Sequence, residues 1–256
     1  SIAALDAGKH VLVTKPMEAT VAACDRMIAA ADKARRLLAV DFEFRLNPSV
    51  QRARQRLMRG DLGRLLGGTA SLKIRRTAEY FQASGGWRGT RKLDGGGVMS
   101  NQNIHHIDEL VYILGLPAKV SMRAWRQMHS IEAEDLAIAT WQYAEGAIVQ
   151  IYATTAFPVD SWYVSLDLHG ADGALVRRQG GPYTCPVERW FVGRKWEESA
   201  PEMELLPWRS SAQNFAAAIR TGAPLVCDGR DGRRSRQVLD AMYRSSEQDG
   251  VWVNVE

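Results

Sequence analysis

Two clusters in this 256-residue sequence combine residue types that could move a proton. The first is Val13-Thr14-Lys15-Pro16, a lysine just past the carboxyl end of a short apolar strand. The proline restricts the residue before it to extended backbone, so Lys15 sits in an extended turn. Ligands of open α/β sheets bind outside the carboxyl ends of the strands, which places Lys15 to donate to a ribose or to a developing oxyanion. The second cluster is Asn101-Gln-Asn-Ile-His105-His-Ile-Asp108. A helix from Met99 to Leu114 would bury Ile104, Ile107, Val111 and Leu114 as one stripe. Asn101, His105 and Asp108 would then share a different face at spacings of four and three. Amide, imidazole and carboxylate on one strip could bind a substrate hydroxyl and take its proton, with His105 as the base because its pKa lies near neutrality. His106 would point roughly 100° away and reads as structural.

Other chemistries fit less well. A metal site at His105 and Asp108 lacks a third ligand and the His-x-x-x-His spacing. Gly95-x-Gly97-x-x-Ser100 has no preceding strand and ends in Ser, so it is not a phosphate loop. No G-x-S-x-G elbow is present. Cys24, Cys185 and Cys227 are odd in number and form no C-x-x-C pair. They read as small buried hydrophobes in a reducing compartment, which implies a cytoplasmic location.

The elements that must position these residues follow from composition and pattern. Hydrophobic residues at 46% and charged residues at 24% describe an ordinary globular chain and exclude a disordered or collagenous one. No apolar run approaches the ~20 residues of a bilayer span, so no membrane partner is expected. The net charge is only +4, and Arg52, Arg54, Arg56, Arg59 and Arg64 are scattered. A nucleic-acid partner is therefore not expected, since its footprint would be a concentrated basic face.

His10–Thr14, Thr20–Arg36 and Leu37–Phe42 read as strand, helix and strand, a βαβ unit with a parallel sheet. A helix from Pro48 to Arg59, a strand over Leu65–Ile74, a polar loop to Gly97 and the Met99–Leu114 helix follow. Strands are expected at 119–128, 136–143, 147–153, 163–168 and 174–178, with helices at 212–220 and 233–247 and a last strand at 251–255. So many consecutive strands imply a largely antiparallel sheet. The fold class is α/β followed by α+β. Residues 1–45 form the C-terminal remnant of a Rossmann parallel sheet, and residues 46–256 form a substrate-binding and oligomerisation domain.

Several motifs in this order resemble the Gfo/Idh/MocA oxidoreductases, named for glucose–fructose oxidoreductase and inositol dehydrogenase. Ala7-Gly-Lys-His-Val-Leu-Val-Thr-Lys-Pro16 is similar to the family's A-G-K-H-V-L-V-E-K-P segment, and Phe44-Arg45-x-x-Pro48 to its R-x-x-P link. Arg59-Gly-Asp-Leu-Gly63 matches its G-x-[IL]-G turn. Trp87-Arg88-Gly89 with Gly95-Gly-Gly97 matches its W-R…G-G-G loop. Asn101 to Asp108 resembles its D-x-x-x-H-x-x-D helix, and Glu134-Asp135 its strand start.

The resemblance implies an NAD- or NADP-dependent dehydrogenase or reductase acting on a sugar, a cyclitol or a derivative. Lys15, Asn101 and His105 would be catalytic, and Lys15, Pro16 and Arg45 would bind the cofactor, unless Arg45 makes a structural ion pair. Trp87, Arg88, Asp108, Lys15, Asn101 and His105 would contact substrate. Asn101 stands where the family commonly has Asp, which implies a shifted substrate class, and Thr14 replaces the Glu before Lys-Pro. The large sheet implies a homo-oligomer. A redox-neutral NAD-dependent glycosidase, a non-catalytic dimerising relic and a metal-dependent hydrolase or isomerase are the rival readings. Ser1 opens within a helix tail closed by Gly8, and no glycine-rich phosphate turn is present. Three βα units, about 90 residues, are expected upstream. The 256 residues alone are expected to bind NAD(P) poorly and to be inactive.

Overall fold

The computed structural model describes residues 1–197 and 202–256. Helix α1 (Ile2–Asp6) leads to strand β1 (Val11–Thr14), helix α2 (Val21–Ala34) and strand β2 (Leu38–Asp41). β1 and β2 pair in parallel, from Val11 opposite Leu38 to Thr14 opposite Asp41. Thr20 caps α2 by accepting from the Ala23 N–H at 3.2 Å, and Cys24, Met27 and Ala31 bury its inner face.

A 3₁₀ turn over Glu43–Leu46 then leads to α3 (Pro48–Met58). Asn47 accepts from the Ser49 N–H, and Pro48 occupies the first position, where a missing N–H costs nothing. Strand β3 (Leu65–Ile74) is followed by α4 (Ala78–Gln82), α5 (Val98–Asn101) and α6 (Ile104–Leu114). Strands β4 (Lys119–Trp125), β5 (Leu136–Gln142), β6 (Ile148–Thr154), β7 (Trp162–Gly170), β8 (Gly173–Gly180), β9 (Tyr183–Val192) and β10 (Lys195–Trp196) follow. Helices α7 (Ser211–Thr221) and α8 (Gly229–Glu247) and strand β11 (Val253–Asn254) finish the chain.

Among the described residues, β10-β9-β8-β7-β3-β6-β5-β4-β11 form one nine-stranded sheet. Its pairs are antiparallel except β3 with β6, where Gly67 stands opposite Ile148 and Lys73 opposite Thr154. One face is covered: Val149, Ile151 and Leu168 from the sheet join Leu110, Leu239 and Met242 from α6 and α8 in a single core. α8 ties the small parallel sheet to the large one by packing against both β2 and β4. Gly232 allows this approach, because a Cβ there would lie 2.4 Å from Val40.

Three expectations are corrected. The helix expected from Met99 to Leu114 is two helices, broken at Gln102 and Asn103. The Asn103 N–H reaches five residues back to the Val98 carbonyl at 2.8 Å, which loosens the turn before α6 restarts. The segment after Gly180 contains a full strand, β9, which Pro186 had obscured. Cys24 and Cys227 are buried, but Cys185 is exposed and is not a core residue.

Candidate active site

The carboxyl end of β1 delivers Lys15 to a cleft where it meets the start of the α5–α6 segment, and Glu43, just past β2, acts on Lys15 from outside the cleft lining. Lys15, Pro16, Trp87, Asp94 and Asn101 line this cleft, which has a volume of about 290 Å³. The Lys15 Nζ donates to the Asn101 carbonyl at 2.8 Å. One of its three N–H donors is thereby used and the ammonium is fixed in place. Burial pulls the Lys15 pKa below its ordinary value, although the charges of Asp94 and Glu43 oppose this.

Asn101 turns its side-chain amide to Asp94, donating from Nδ2 to Oδ1 at 2.7 Å. Asp94 also accepts from the Gly89 N–H at 2.8 Å, and burial pushes its carboxyl above the usual carboxylate range. No described group donates to the Asn101 Oδ1, so that oxygen is available to accept from a hydroxyl.

His105 begins α6. Its ring lies 4.9 Å from the Phe44 ring and 6.4 Å, edge-on, from that of Phe42. Burial holds its pKa down at about 3, with Lys15 and His106 adding to the effect. The imidazole is thus neutral at physiological pH and can accept a proton, but burial overturns the near-neutral pKa expected of it from sequence and leaves the resting ring a weak base.

Asp108 and Arg45 stand apart from this group. Asp108 lies one turn beyond His105 on α6, and its side chain is completely buried. Arg45 Nε and Nη2 reach the two oxygens of Asp108 at 2.8 Å each, and Ser235 donates to Oδ1 at 2.7 Å. Arg45 also reaches Asp231 at 2.9 Å and the Val226 carbonyl at 3.1 Å. The structure therefore gives Arg45 and Asp108 a fastening role between the 3₁₀ turn, α6 and α8. Arg88 likewise lies over the Tyr80 and Trp87 rings and donates to the Tyr80 carbonyl, outside the cleft lining. Trp87 does line the cleft beside Lys15.

Sequence reasoning missed Asp94 and Glu43. Asp94 lies immediately before Gly95-Gly-Gly97, and that adjacency is the signal that could have found it. The same glycines are committed elsewhere: the Gly97 N–H donates to Glu134 and to the Tyr243 hydroxyl. A Cβ on Gly97 would lie 1.8 Å from the Glu134 carbonyl oxygen. Glu134 also accepts from the Met99 N–H at 3.0 Å, so the Glu134–Asp135 motif fixes the start of α5.

A larger cavity, about 410 Å³, lies between α3, α6 and the sheet, around Asn103 and His106. Its charges are already paired: Arg52 with Glu188, Arg177 with Glu109, and His106 with Glu109 at 3.1 Å. Phe44 stacks on both His105 and His106 and separates this cavity from the His105 side. The Lys15 cleft is the smaller space, lined by Lys15, Asp94 and Asn101, with His105 close enough to Lys15 to feel its charge but outside the lining.

Residues 1–42 match the family described as "Oxidoreductase family, NAD-binding Rossmann fold", and residues 50–176 match "GFO/IDH/MocA C-terminal domain". The D-glucoside 3-dehydrogenase of Escherichia coli (strain K12) is 33% identical over 96% of this chain and 73% of its own length. The chain belongs to the Gfo/Idh/MocA family. A 1,5-anhydro-D-fructose reductase of Ensifer adhaerens is 29% identical over 70% of this chain and 52% of its own length. Among solved structures, the WlbA dehydrogenase from Bordetella pertussis, in complex with NADH and UDP-GlcNAcA, is similar with a TM-score of 0.86 and 28% identity. That likeness covers all of this chain and 74% of the other. The chain thus spans about half of the first relative and about three quarters of the others.

Within a Gfo/Idh/MocA chain the cleft fits a nicotinamide nucleotide on its ribose side. Lys15 stands at the carboxyl end of a parallel strand with two N–H donors free of Asn101. Residues 1–42 contain no G-x-G-x-x-G turn to hold the phosphates.

Proposed function

We propose that this chain serves an NAD(P)-dependent oxidoreductase acting on a hydroxyl-bearing carbon of a sugar, a cyclitol or a derivative. The observation that carries this reading is a lysine fixed by the Asn101 carbonyl beside a neutral, buried histidine. The bound nicotinamide supplies the redox chemistry, accepting the carbinol hydrogen with its electron pair. In this reading His105 takes the hydroxyl proton as the C–O single bond becomes a carbonyl. Lys15 donates to the oxygen, and the Asn101 Oδ1 orients the hydroxyl. In the reductive direction the same proton returns from His105. Asp94 holds the Asn101 amide so that Oδ1, not Nδ2, faces the hydroxyl. The names of the relatives, which act on glucosides and an anhydrofructose, support the substrate class. Reduced cofactor formed per substrate oxidised tests the reading, and one-to-one is expected.

We assign residues 1–45 to the nucleotide-binding part and residues 46–256 to the substrate-binding part. Three free thiols suit a reducing compartment, and we place the activity in the cytoplasm. No helix of the described residues is long and apolar enough to cross a membrane.

We also propose that the uncovered face of the large sheet pairs with a second copy. It carries Trp125, Ile138 and Ile148 exposed, and no helix covers it among the described residues. Apolar side chains grouped in this way mark an association surface. Sedimentation velocity should show a species heavier than 28.5 kDa. Ile138→Asp should shift it toward the monomer, and a monomer in both would reject the proposal.

A further inference from the structure

We infer that Glu43 is a positioning residue for His105, accepting its Nδ1–H so that Nε2 stays unprotonated for the substrate. This rests on the reading of His105 as proton acceptor. The His105 Nδ1 is buried and has no hydrogen-bond partner among the described residues. Buried polar atoms are rarely left so in native proteins, and each exception calls for a missing partner. The Glu43 Oε1 lies 3.6 Å away, just beyond bonding distance, and the Glu43 side chain is half exposed, with its own backbone N–H as its hydrogen-bond donor.

The backbone around the pair is fixed. Glu43 opens the 3₁₀ turn whose Arg45 is locked to Asp108, one helical turn beyond His105 on α6. Phe42 and Phe44 flank the ring and hold its plane. What remains to be set is which nitrogen carries the proton, and a partner at Nδ1 decides it.

Among the described residues, the carboxylates nearest the site are engaged elsewhere. Asp94 is engaged by Asn101 and Gly89, Asp108 by Arg45 and Ser235, and Glu109 by His106 and Arg177. The charged or titratable groups acting on His105 are Lys15 and His106, and those acting on Glu43 are Asp41, Lys15 and Asp108. None of these offers an acceptor to Nδ1. A neutral imidazole carries one N–H. If that proton sat on Nε2, His105 could not take another there from a hydroxyl. A carboxylate at Nδ1 excludes that tautomer and stabilises the imidazolium formed during turnover, as in other carboxylate–histidine pairs.

The test uses the 256-residue chain labelled with nitrogen-15 histidine and reads the His105 tautomer from long-range proton–nitrogen correlations. His105→Gln identifies the ring by loss of its signals. Wild type and Glu43→Gln, whose amide oxygen still accepts, should both show the Nδ1–H form. Glu43→Ala should shift the ring to the Nε2–H form, and in turnover assays it should lower kcat roughly tenfold with little change in KM. An Nε2–H ring in wild type, or the same tautomer in wild type and Glu43→Ala, overturns the inference whatever the activity. If the tautomer follows Glu43 but turnover survives loss of His105, the orienting contact stands and the reading of His105 as base fails.

Discussion

Replacing His105 with alanine is expected to lower turnover by about 10²- to 10⁴-fold, the range typical of losing a positioned general base. The size of the effect follows from the surroundings. His105 is neutral because burial holds its pKa at about 3. It shares the site with Lys15, whose ammonium is anchored to the Asn101 carbonyl. Removing the imidazole leaves Lys15 and Asn101 able to orient a hydroxyl but leaves no neutral acceptor for its proton. The loss should therefore appear in kcat, with KM changing by less. His106→Ala is the matched control. His106 is spent on Glu109, across the Phe44 ring from His105, so turnover should stay within a few-fold of wild type. Equal losses in both variants would show that helix integrity, not the His105 imidazole, was being measured.

The second large effect is on stability. Arg45→Ala should cost about 3–5 kcal/mol, the usual penalty for leaving a buried charge without its partner. Arg45 is 2% exposed and donates twice to Asp108, once to Asp231 and once to the Val226 carbonyl. Truncation strands a completely buried carboxylate whose remaining donor is Ser235. It also unfastens the 3₁₀ turn from α6 and α8, the junction that brings Glu43 toward His105. Arg45→Lys should recover only part of the loss, because an ammonium cannot reproduce the two-pronged contact. Urea denaturation midpoints measure this directly. A cost below about 1 kcal/mol, as for an exposed ion pair, would contradict the structural role assigned to Arg45 and Asp108.

The sequence made the local parts of this site legible and concealed the long-range ones. Lys15 could be placed from the strand before it and the proline after it. His105 and Asp108, three apart on α6, could be placed by spacing, because short-range periodicity dictates which residues share a helix face. The break at Gln102 and Asn103 was not legible, since it depends on a backbone contact reaching back to Val98. Asn101 therefore lies on α5, and helix periodicity does not put it on a face with His105. Its partner Arg45 lies 63 residues away in the chain, so no window of sequence joins them. Glu43 and Asp94 were missed for the same reason: each becomes relevant only when separate segments converge on Lys15. Strand β9 was hidden by Pro186. The parallel pairing of β3 with β6 inside an otherwise antiparallel sheet is a property of topology, which strand-by-strand patterning does not encode.

The central claim is that a hydrogen leaves the carbinol carbon for the nicotinamide while His105 takes the hydroxyl proton. The most direct measurement follows a sugar or cyclitol substrate deuterated at the carbon that is oxidised, turned over by the protein with NAD⁺ or NADP⁺. The account predicts one deuterium on C4 of the isolated reduced nicotinamide for each carbonyl formed, and almost none formed with His105→Ala. Conversion of the substrate with no net reduced cofactor and no deuterium retained on it would contradict that claim.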